Sequence, residues 1–263
     1  MNAFNSPGVT PAESANWEPQ RLADLAGGVF LSDLHLFSPR SVAQDVQLQL
    51  RAYDRPAQCV VLGGDIFDFR WSTHASLQAT LLAAQCWLID LLENLVHAHV
   101  LFLPGNHDCQ PEFLESLNVL SDRFPRFGWK PHHWQLGCNL FLHGDILDAG
   151  GDLPSLDRYR RRFHHGRAAS KLAQRCYDVA VACRIHKTVP RLRHVPNKTC
   201  RALLNVVDRL ALANAAELRH IYFGHTHVAM EGLNAAGIQF HNPGSGLKHM
   251  QLRLVEFTNL RDK

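Results

Sequence analysis

The sequence has no long hydrophobic run and no closely spaced pair of cysteines. No apolar stretch reaches the roughly 18 residues that a membrane-spanning helix needs, which excludes an integral helical membrane protein. The 7 cysteines are odd in number and form no C-x-x-C pair, so a disulfide scaffold is excluded and a reducing cytoplasm is expected. Residues 1–27 lack a basic start and an apolar stretch, and we expect no signal peptide there.

The composition is not that of a repetitive or disordered chain, but it is rich in histidine. Of the 263 residues, 46% are hydrophobic and 19% are charged. These values exclude collagen-like and low-complexity proteins and predict a globular fold with a sizeable core. The 17 histidines direct attention to metal binding and proton transfer, because histidine is the commonest metal ligand and a ready proton carrier.

The net charge is small but unevenly distributed along the chain. Between Ser155 and Arg219 there are 12 Arg and 3 Lys against 3 Asp and 1 Glu, a net charge of +11. Because the whole chain carries +3, the remainder carries −8. A basic segment attracts anionic partners, whereas an acidic body attracts cations.

The order of segments predicts an α/β fold. Five short apolar runs are bounded by turn residues, as buried strands are; they are GVFLSD, CVVLGGD, VLFLPGN, NLFLHGD and HIYFGHTH. Helical patterns lie between them at Arg40–Ala52, Ser76–His97 and Pro111–Asp122, and the second is apolar enough to be largely buried. The segments VAMEGLN, GIQFHNPG and HMQLRLVEF indicate antiparallel hairpins. We therefore expect two sheets packed face to face and flanked by helices.

The domain organisation follows from the same pattern. We expect residues 1–27 to form an N-terminal tail and residues 28–263 to form one domain. The basic segment, at about residues 150–218, has a helical pattern and lies between two predicted strands. It is therefore predicted to be a helical cap inserted into that domain.

Each of the five apolar runs ends in side chains that bind metals. These are Asp33 and His35, Asp65, Asn106 and His107, His143, and His225 and His227. Strand ends meet at one edge of an α/β sheet, and D-x-H spacing places two side chains on the same side of an extended strand end. One such motif alone is more often a turn or a cap. Five in succession predict a metal site for Mn, Fe or Zn, which accept mixed carboxylate, imidazole and amide ligands.

With these motifs and the NPGS loop at Asn242–Ser245, the chain from about Val29 to His227 resembles the calcineurin-like metallophosphoesterases. The resemblance implies an α-β-β-α sandwich, two divalent metal ions, with manganese first among them, and hydrolysis of phosphoesters. It assigns Asp33, His35 and His227 to one metal, Asn106, His143 and His225 to the second, and Asp65 to a bridge between them. It also implies that His107 is the catalytic histidine and that Asp68 orients it.

Within that family, the long insertion, SDLHLFSP and GDIFDFRW resemble bacterial UDP-2,3-diacylglucosamine diphosphatases. Two features depart from that branch: His107 stands where its well-known enzymes carry Arg, and the NPGS loop is more typical of the wider superfamily. The resemblance implies a phosphorylated small-molecule or lipid-linked substrate. The run Arg158–Arg162 is either a solvated face or, beside such a site, holds the substrate through Arg160, Arg161 and Arg162. The apolar stretch CRALLNVVDRLALANAA packs acyl chains or packs only against itself, and a lipid substrate would imply peripheral contact with the inner membrane.

Other readings of the same residues stay open. A nuclease or a general phosphomonoesterase would use the same metals, but the basic segment has only three aromatic side chains, Tyr159, Phe163 and Tyr177, which does not favour nucleic acid. A catalytically silent scaffold should have lost ligands, and none is missing.

Several further side chains are candidates for roles close to the site. Asp145, Asp148 and His241 either orient ligands or are loop residues, and the second reading is preferred for Asp148. Cys109 is expected to be a structural thiol. His164 and His165 either bind phosphate or are solvated on a basic helix.

Overall fold

A computed structural model describes residues 24–164 and 171–259 of the chain. Most of the predicted N-terminal tail, His165 and part of the predicted cap therefore lie outside the described residues. Residues just before position 28 already belong to the domain, because Leu25 is buried and the first strand starts at Gly27.

The described elements alternate between strands and helices and then end in strands. The strands are β1 (Gly27–Leu31), β2 (Gln58–Gly63), β3 (His99–Leu103), β4 (Phe127–Trp129), β5 (His133–Leu136), β6 (Asn139–Leu142), β7 (His220–Phe223), β8 (Met230–Ala235), β9 (Ile238–Asn242) and β10 (Val255–Thr258). The helices are α1 (Val46–Leu50), α2 (Leu77–Asn94), α3 (Pro111–Arg123), α4 (Leu153–His164), α5 (Lys171–Ala182), α6 (Ile185–Arg193) and α7 (Pro196–Leu210). No described helix has both the length and the apolar character needed to cross a membrane.

The strands form two sheets of five. The first has the order β10-β1-β2-β3-β4, with β1 to β4 parallel and β10 antiparallel at the edge. The second has the order β5-β6-β7-β9-β8, in which β6, β7 and β9 are parallel and the outer strands are antiparallel. The central strands are continuous apolar runs because both of their faces are buried.

The two sheets pack face to face, with helices on both outer faces. Aromatic side chains fill the space between the sheets: the ring of Phe141 lies 5.8 Å from that of Phe30 on the other sheet and 4.9 Å from that of Tyr222. Helices α2 and α3 cover the outer face of the first sheet, and α7 covers that of the second. The predicted four-layer sandwich is confirmed.

The inserted helices have two different roles. Cys200, Leu203 and Val207 of α7 are buried against the second sheet, so of the two alternatives the structure favours packing within the protein over packing of acyl chains. Hydrophobic burial against the sheet accounts for these side chains. The name "cap" is kept here for α4, α5 and α6, which lie between the second sheet's β6 and α7 in the chain.

Three details of the predicted elements require correction. The helix predicted over Arg40–Ala52 is limited to α1 and one 3₁₀ turn. Helix α2 starts where predicted, with Ser76 accepting a hydrogen bond from the Ala79 N–H, but only one of its faces is buried, and Leu82 is 59% exposed. Strand β10 is not part of a hairpin, because it pairs with β1 in the other sheet.

Candidate metal centre

The predicted metal-binding side chains lie in loops that follow five strands of the sandwich. These loops follow β1 (Asp33 and His35), β2 (Asp65), β3 (Asn106 and His107), β6 (His143) and β7 (His225 and His227). Within each sheet these strands run parallel, so their loops leave at the same end. Among the described residues, three groups bring potential ligand atoms within 4.8 Å of one another: Asp33, His35 and His227; Asp65, His143 and His225; and His35, Asp68 and His107. The first two consist of predicted ligands only and are called the first and second clusters.

The backbone of these loops is unusual. Asp33, His35, Asp65, His225 and His227 all have positive φ angles, between 49° and 64°. The D-x-H spacing therefore does not work through an extended strand end, as the sequence suggested, but through two left-handed residues. This conformation costs non-glycine residues about 1–3 kcal/mol each and persists mainly at functional sites. Hydrogen bonds between loops hold it, including those from the Asp33 and His35 N–H groups to the Gly64 and Asp65 carbonyls, each 2.9 Å long.

In the first cluster, one ring nitrogen of His227 lies close to a nitrogen and to an oxygen. His227 Nε2 lies 3.1 Å from His35 Nε2 and 3.1 Å from Asp33 Oδ1. Two imidazole nitrogens this close repel unless a proton or a cation lies between them. Asp33 and His35 are buried, and His227 is partly exposed at the mouth of the site.

In the second cluster, His143 is held in one tautomer. Its Nδ1 lies 2.9 Å from the Gly63 carbonyl oxygen and must carry the proton. Its Nε2 is buried and faces Asp65 Oδ2 at 3.4 Å, but makes no hydrogen bond among the described residues. A Cβ on Gly105 would lie 2.6 Å from this nitrogen, so only glycine fits there.

The side-chain oxygen of Asn106 is a second buried atom without a hydrogen-bond partner among the described residues. Its side chain is 3% exposed, and its Oδ1 accepts no hydrogen bond within the described part of the chain. A buried amide oxygen without a partner costs about 1–3 kcal/mol, and a metal ion would remove that cost. The orphaned Asn106 oxygen and His143 nitrogen, together with the N and O donors of the two clusters, fit a pair of first-row divalent ions.

His107 lies beside these clusters and pairs with Asp68. Its Nδ1 is 3.1 Å from Asp68 Oδ1, and the other carboxylate oxygen lies 3.6 Å from His35 Nδ1. The backbone N–H of Trp71 donates to Asp68 Oδ1 over 2.9 Å, and the backbone N–H of His107 donates to Asp65 Oδ1 over 2.7 Å. Asp68 therefore touches both a candidate ligand and the candidate catalytic histidine.

The carboxylates give this region a field that favours positive charge. Burial alone would lower the pKa of His143, but the Asp65 carboxylate outweighs burial and raises that pKa to about 10. Burial would also lower the pKa of His107, but the Asp68 and Asp65 carboxylates outweigh burial and raise that pKa to about 9. Burial would raise the pKa of Asp65, whereas His143 and His107 hold it well below its usual range.

Asp108 is a buried residue of the site to which the sequence assigned no role. One of its carboxylate oxygens accepts from the Gly105 N–H, and the other from the Ile66 N–H at 2.7 Å. It thus ties the loop after β3 to the loop after β2. Burial, and then the nearby Asp65 carboxylate, raise the pKa of Asp108 to about 7. In the sequence, its position as the last residue of the GNHD motif could have indicated that it belongs to the site.

The NPGS loop braces two ligand loops. Asn242 donates to the Gly224 carbonyl over 2.9 Å and to Thr226 Oγ1 over 3.1 Å. Ser245 Oγ donates to the Asp33 carbonyl over 3.1 Å. The loop therefore fixes the backbones that carry Asp33, His225 and His227 without placing a side chain among the ligands.

The structure corrects two of the neighbouring candidates. Asp148 is more than a loop residue, because its carboxylate lies 3.0 Å from His225 Nε2 and 2.8 Å from Arg193 Nη2. His241 does not orient a ligand: its Nε2 contacts His220 at 3.2 Å, and its Nδ1 accepts from the Gly232 N–H.

The three arginines predicted to bind substrate do not behave alike. The Arg160 side chain is buried and donates to both carboxylate oxygens of Asp145, at 2.7 and 3.0 Å, and to the Pro131 carbonyl. The prediction for Arg160 is therefore wrong, because its donors are used inside the protein. Arg161 and Arg162 are exposed. Cys109 is buried behind Asn106, as expected for a structural thiol.

A family model described as calcineurin-like phosphoesterase matches residues 29–229. No curated protein matches the sequence. Among solved structures, the crystal structure of a dimetal phosphatase from Danio rerio (LOC 393393) is similar, with 12% sequence identity and a TM-score of 0.44, over 86% of this chain and 89% of that one.

Proposed function

The chain belongs to the calcineurin-like phosphoesterase family and is a metal-dependent phosphoesterase, and we propose that it cleaves a phosphoester or pyrophosphate bond at two divalent metal ions. The proposed ligands are Asp33, His35 and His227 for the first ion, Asn106, His143 and His225 for the second, and Asp65 as the bridge. The observation that carries the proposal is the pair of buried donor atoms, Asn106 Oδ1 and His143 Nε2, that have no partner among the described residues.

In the proposed mechanism, His107 acts as a general acid. When bound, the two divalent ions would act as Lewis acids on phosphate oxygens and lower the pKa of water. The His107 Nδ1–H donates to Asp68 Oδ1, which fixes the ring and leaves Nε2 for the substrate. Because Asp68 and Asp65 keep the ring protonated near neutral pH, overcoming its burial, Nε2–H can donate its proton to the leaving oxygen.

We propose manganese as the native metal, with iron or zinc as alternatives. Imidazole nitrogens and carboxylate oxygens together with one amide oxygen are ligands that these borderline and hard first-row ions share. The donor set favours none of the three strongly. Cysteine contributes no ligand to either cluster of described residues.

For the substrate we propose a nucleotide-sugar lipid, UDP-2,3-diacylglucosamine or a related molecule. Large apolar side chains that are at least 50% exposed concentrate on α5 and α6: Leu172, Val179, Ile185, Val189 and Leu192. Residues 171–195, which contain these side chains, include 6 Arg and Lys against 1 Asp. An apolar face with basic flanks suits an anionic lipid surface, which supports a cytoplasmic protein in peripheral contact with the inner membrane.

The second candidate is a phosphodiesterase, a nuclease or a general phosphomonoesterase. Aromatic side chains of the cap lie beside the site: the ring of Phe163 is 5.8 Å from that of His107, and the ring of Tyr177 is 5.0 Å from that of Trp71. Such rings can stack on a nucleobase without reading its sequence. This observation favours a nucleotide-containing substrate over a plain sugar phosphate.

The experiment that separates these candidates is a substrate panel with manganese-loaded protein. We expect hydrolysis of UDP-sugars, and of their lipid-linked forms, with higher kcat/KM than hydrolysis of aryl phosphates, cyclic nucleotides or single-stranded DNA. Highest activity on single-stranded DNA would establish the nuclease instead. Loss of all activity after chelation, restored by manganese, is the internal control, and metal-independent hydrolysis would contradict the proposal.

A further inference from the structure

A cavity of about 410 Å³ opens between α4 and the turn that follows β6. Its lining residues are Asp148, Ala149, Ser155, Arg158, Tyr159 and Arg162. None of these is among the proposed metal ligands. The cavity is therefore distinct from the proposed metal centre.

The cavity adjoins the metal centre through two sets of contacts. On one wall, Asp148 Oδ2 lies 3.0 Å from Nε2 of His225, a proposed ligand of the second metal. On another, the ring of Tyr159 lies 5.3 Å from that of Phe163, which in turn lies 5.8 Å from that of His107. A molecule in the cavity would thus be separated from His225 by Asp148, and from His107 by the rings of Tyr159 and Phe163.

The charge of the cavity is positive. Arg158 and Arg162 are exposed and one helical turn apart on α4, so their side chains are neighbours. The acid in the lining, Asp148, already has one oxygen on Arg193 and the other on His225. Arg158 uses one N–H on Ser155 Oγ, and a guanidinium has five N–H donors. Within residues 24–164 and 171–259, most donors of the two arginines are therefore left for a bound anion.

We infer that this cavity binds a second phosphate of the substrate, one that is not hydrolysed, through Arg158 and Arg162. The inference rests on the proposed function, because it takes the reacting phosphate to lie at the metal centre. Arginine binds phosphate oxygens with two parallel charge-assisted hydrogen bonds, and the Tyr159 ring offers an apolar wall for the group attached to that phosphate. The enzyme accordingly prefers diphosphates and diphosphate esters to simple monoesters.

The chain offers a matched control for the test. Arg201 is exposed on α7 and does not line the cavity. In the double variant Arg158→Gln/Arg162→Gln, we expect KM for UDP-N-acetylglucosamine to rise by about tenfold or more, since the variant loses charge-assisted hydrogen bonds to the second phosphate. We expect KM for p-nitrophenyl phosphate, which has one phosphate, to stay within about twofold, and Arg201→Gln to change neither constant.

A binding measurement separates failure of this inference from failure of the proposed function. By calorimetry, methylenediphosphonate should bind the double variant about tenfold more weakly than the wild type, whereas inorganic phosphate should bind both equally. Weaker diphosphonate binding in a protein with no phosphoesterase activity would preserve the cavity's role and overturn the proposed function. Equal diphosphonate binding in all variants, in an active enzyme, would overturn the role given to the cavity.

Discussion

At the scale of single residues, the site combines strained backbone with side chains that lack partners. Five proposed ligands, Asp33, His35, Asp65, His225 and His227, adopt left-handed backbone conformations, and the surrounding loop hydrogen bonds must hold them there. His143 Nε2 and Asn106 Oδ1 are buried without a partner among the described residues. A bound cation would offset the cost of the strained backbone and of the missing hydrogen bonds.

His107 provides the residue-scale test of the chemistry. His107 lies close to His35 and Asp68, but its Nδ1 contacts Asp68 and the proposed ligand set is complete without it. His107→Asn should therefore retain the metal and lower kcat by roughly 10²–10⁴, the usual effect of a general acid. The loss should be smaller for aryl phosphates with good leaving groups, which need no proton.

The check is kcat across a series of aryl phosphates, together with metal analysis of the purified variant. An equal loss across the series would replace proton donation by charge stabilisation. Loss of the metal would contradict the assigned role altogether.

The side chains that gather at the candidate site could be predicted from the sequence, but their mutual arrangement could not. Motifs such as SDLH and GHTH point to side chains that the fold brings together, because each motif follows a buried apolar run. The left-handed backbone of Asp33 and His35 depends on hydrogen bonds from the loop after β2, and these are tertiary contacts. The contacts of Asp148 and Arg160 could not be predicted for the same reason, since their partners lie 77 and 15 residues away in the sequence.

At the scale of elements, the cap is tied to the two sheets by ion pairs as well as by apolar packing. Helix α4 is held through Arg160 and Asp145, both buried, and α5 through Asp178, which pairs with Arg40 at 2.8 Å. Helix α6 is held through Arg193 and Asp148. The position of β10 at the edge of the first sheet could not be predicted, because a hairpin and a return to the other sheet need the same local sequence.

The buried pair gives an element-scale prediction. Arg160→Ala should lower the free energy of unfolding by about 3–5 kcal/mol, because it leaves the Asp145 carboxylate buried without its partner. The neighbouring exposed Arg161→Ala should change it by less than about 0.5 kcal/mol. Urea unfolding of both variants measures the difference. Equal and small effects would show that Arg160 is not an anchor of α4.

At the scale of the whole molecule, charge and exposed apolar surface are concentrated in the same region. The segment from Ser155 to Arg219 carries +11 and the rest of the chain −8. The apolar side chains exposed on α5 and α6 lie within this segment. A molecule polarised in this way should approach an anionic bilayer with its cap first.

That orientation predicts binding to vesicles. The wild type should sediment with vesicles of equal parts phosphatidylglycerol and phosphatidylcholine, and much less with phosphatidylcholine alone or at high salt. Leu172→Gln/Leu192→Gln should bind about tenfold more weakly, since each leucine would lose its burial in the lipid.

The matched control is Leu82→Gln/Val119→Asn, whose parent side chains are also at least 59% exposed but lie on α2 and α3; it should bind as the wild type does. If light scattering instead shows a wild-type dimer that the cap variant disrupts, without vesicle binding, the apolar face is an interface between copies.

The central claim is that two metal ions bind at this site, and metal stoichiometry tests it most directly. Plasma emission analysis of the protein, reconstituted with manganese and freed of excess metal, should approach two equivalents per chain. The bridging variant Asp65→Ala should lose most of both, and Asn106→Ala mainly one. A stoichiometry that stays at one equivalent, with full activity in Asn106→Ala and His143→Ala, would contradict the two-metal account.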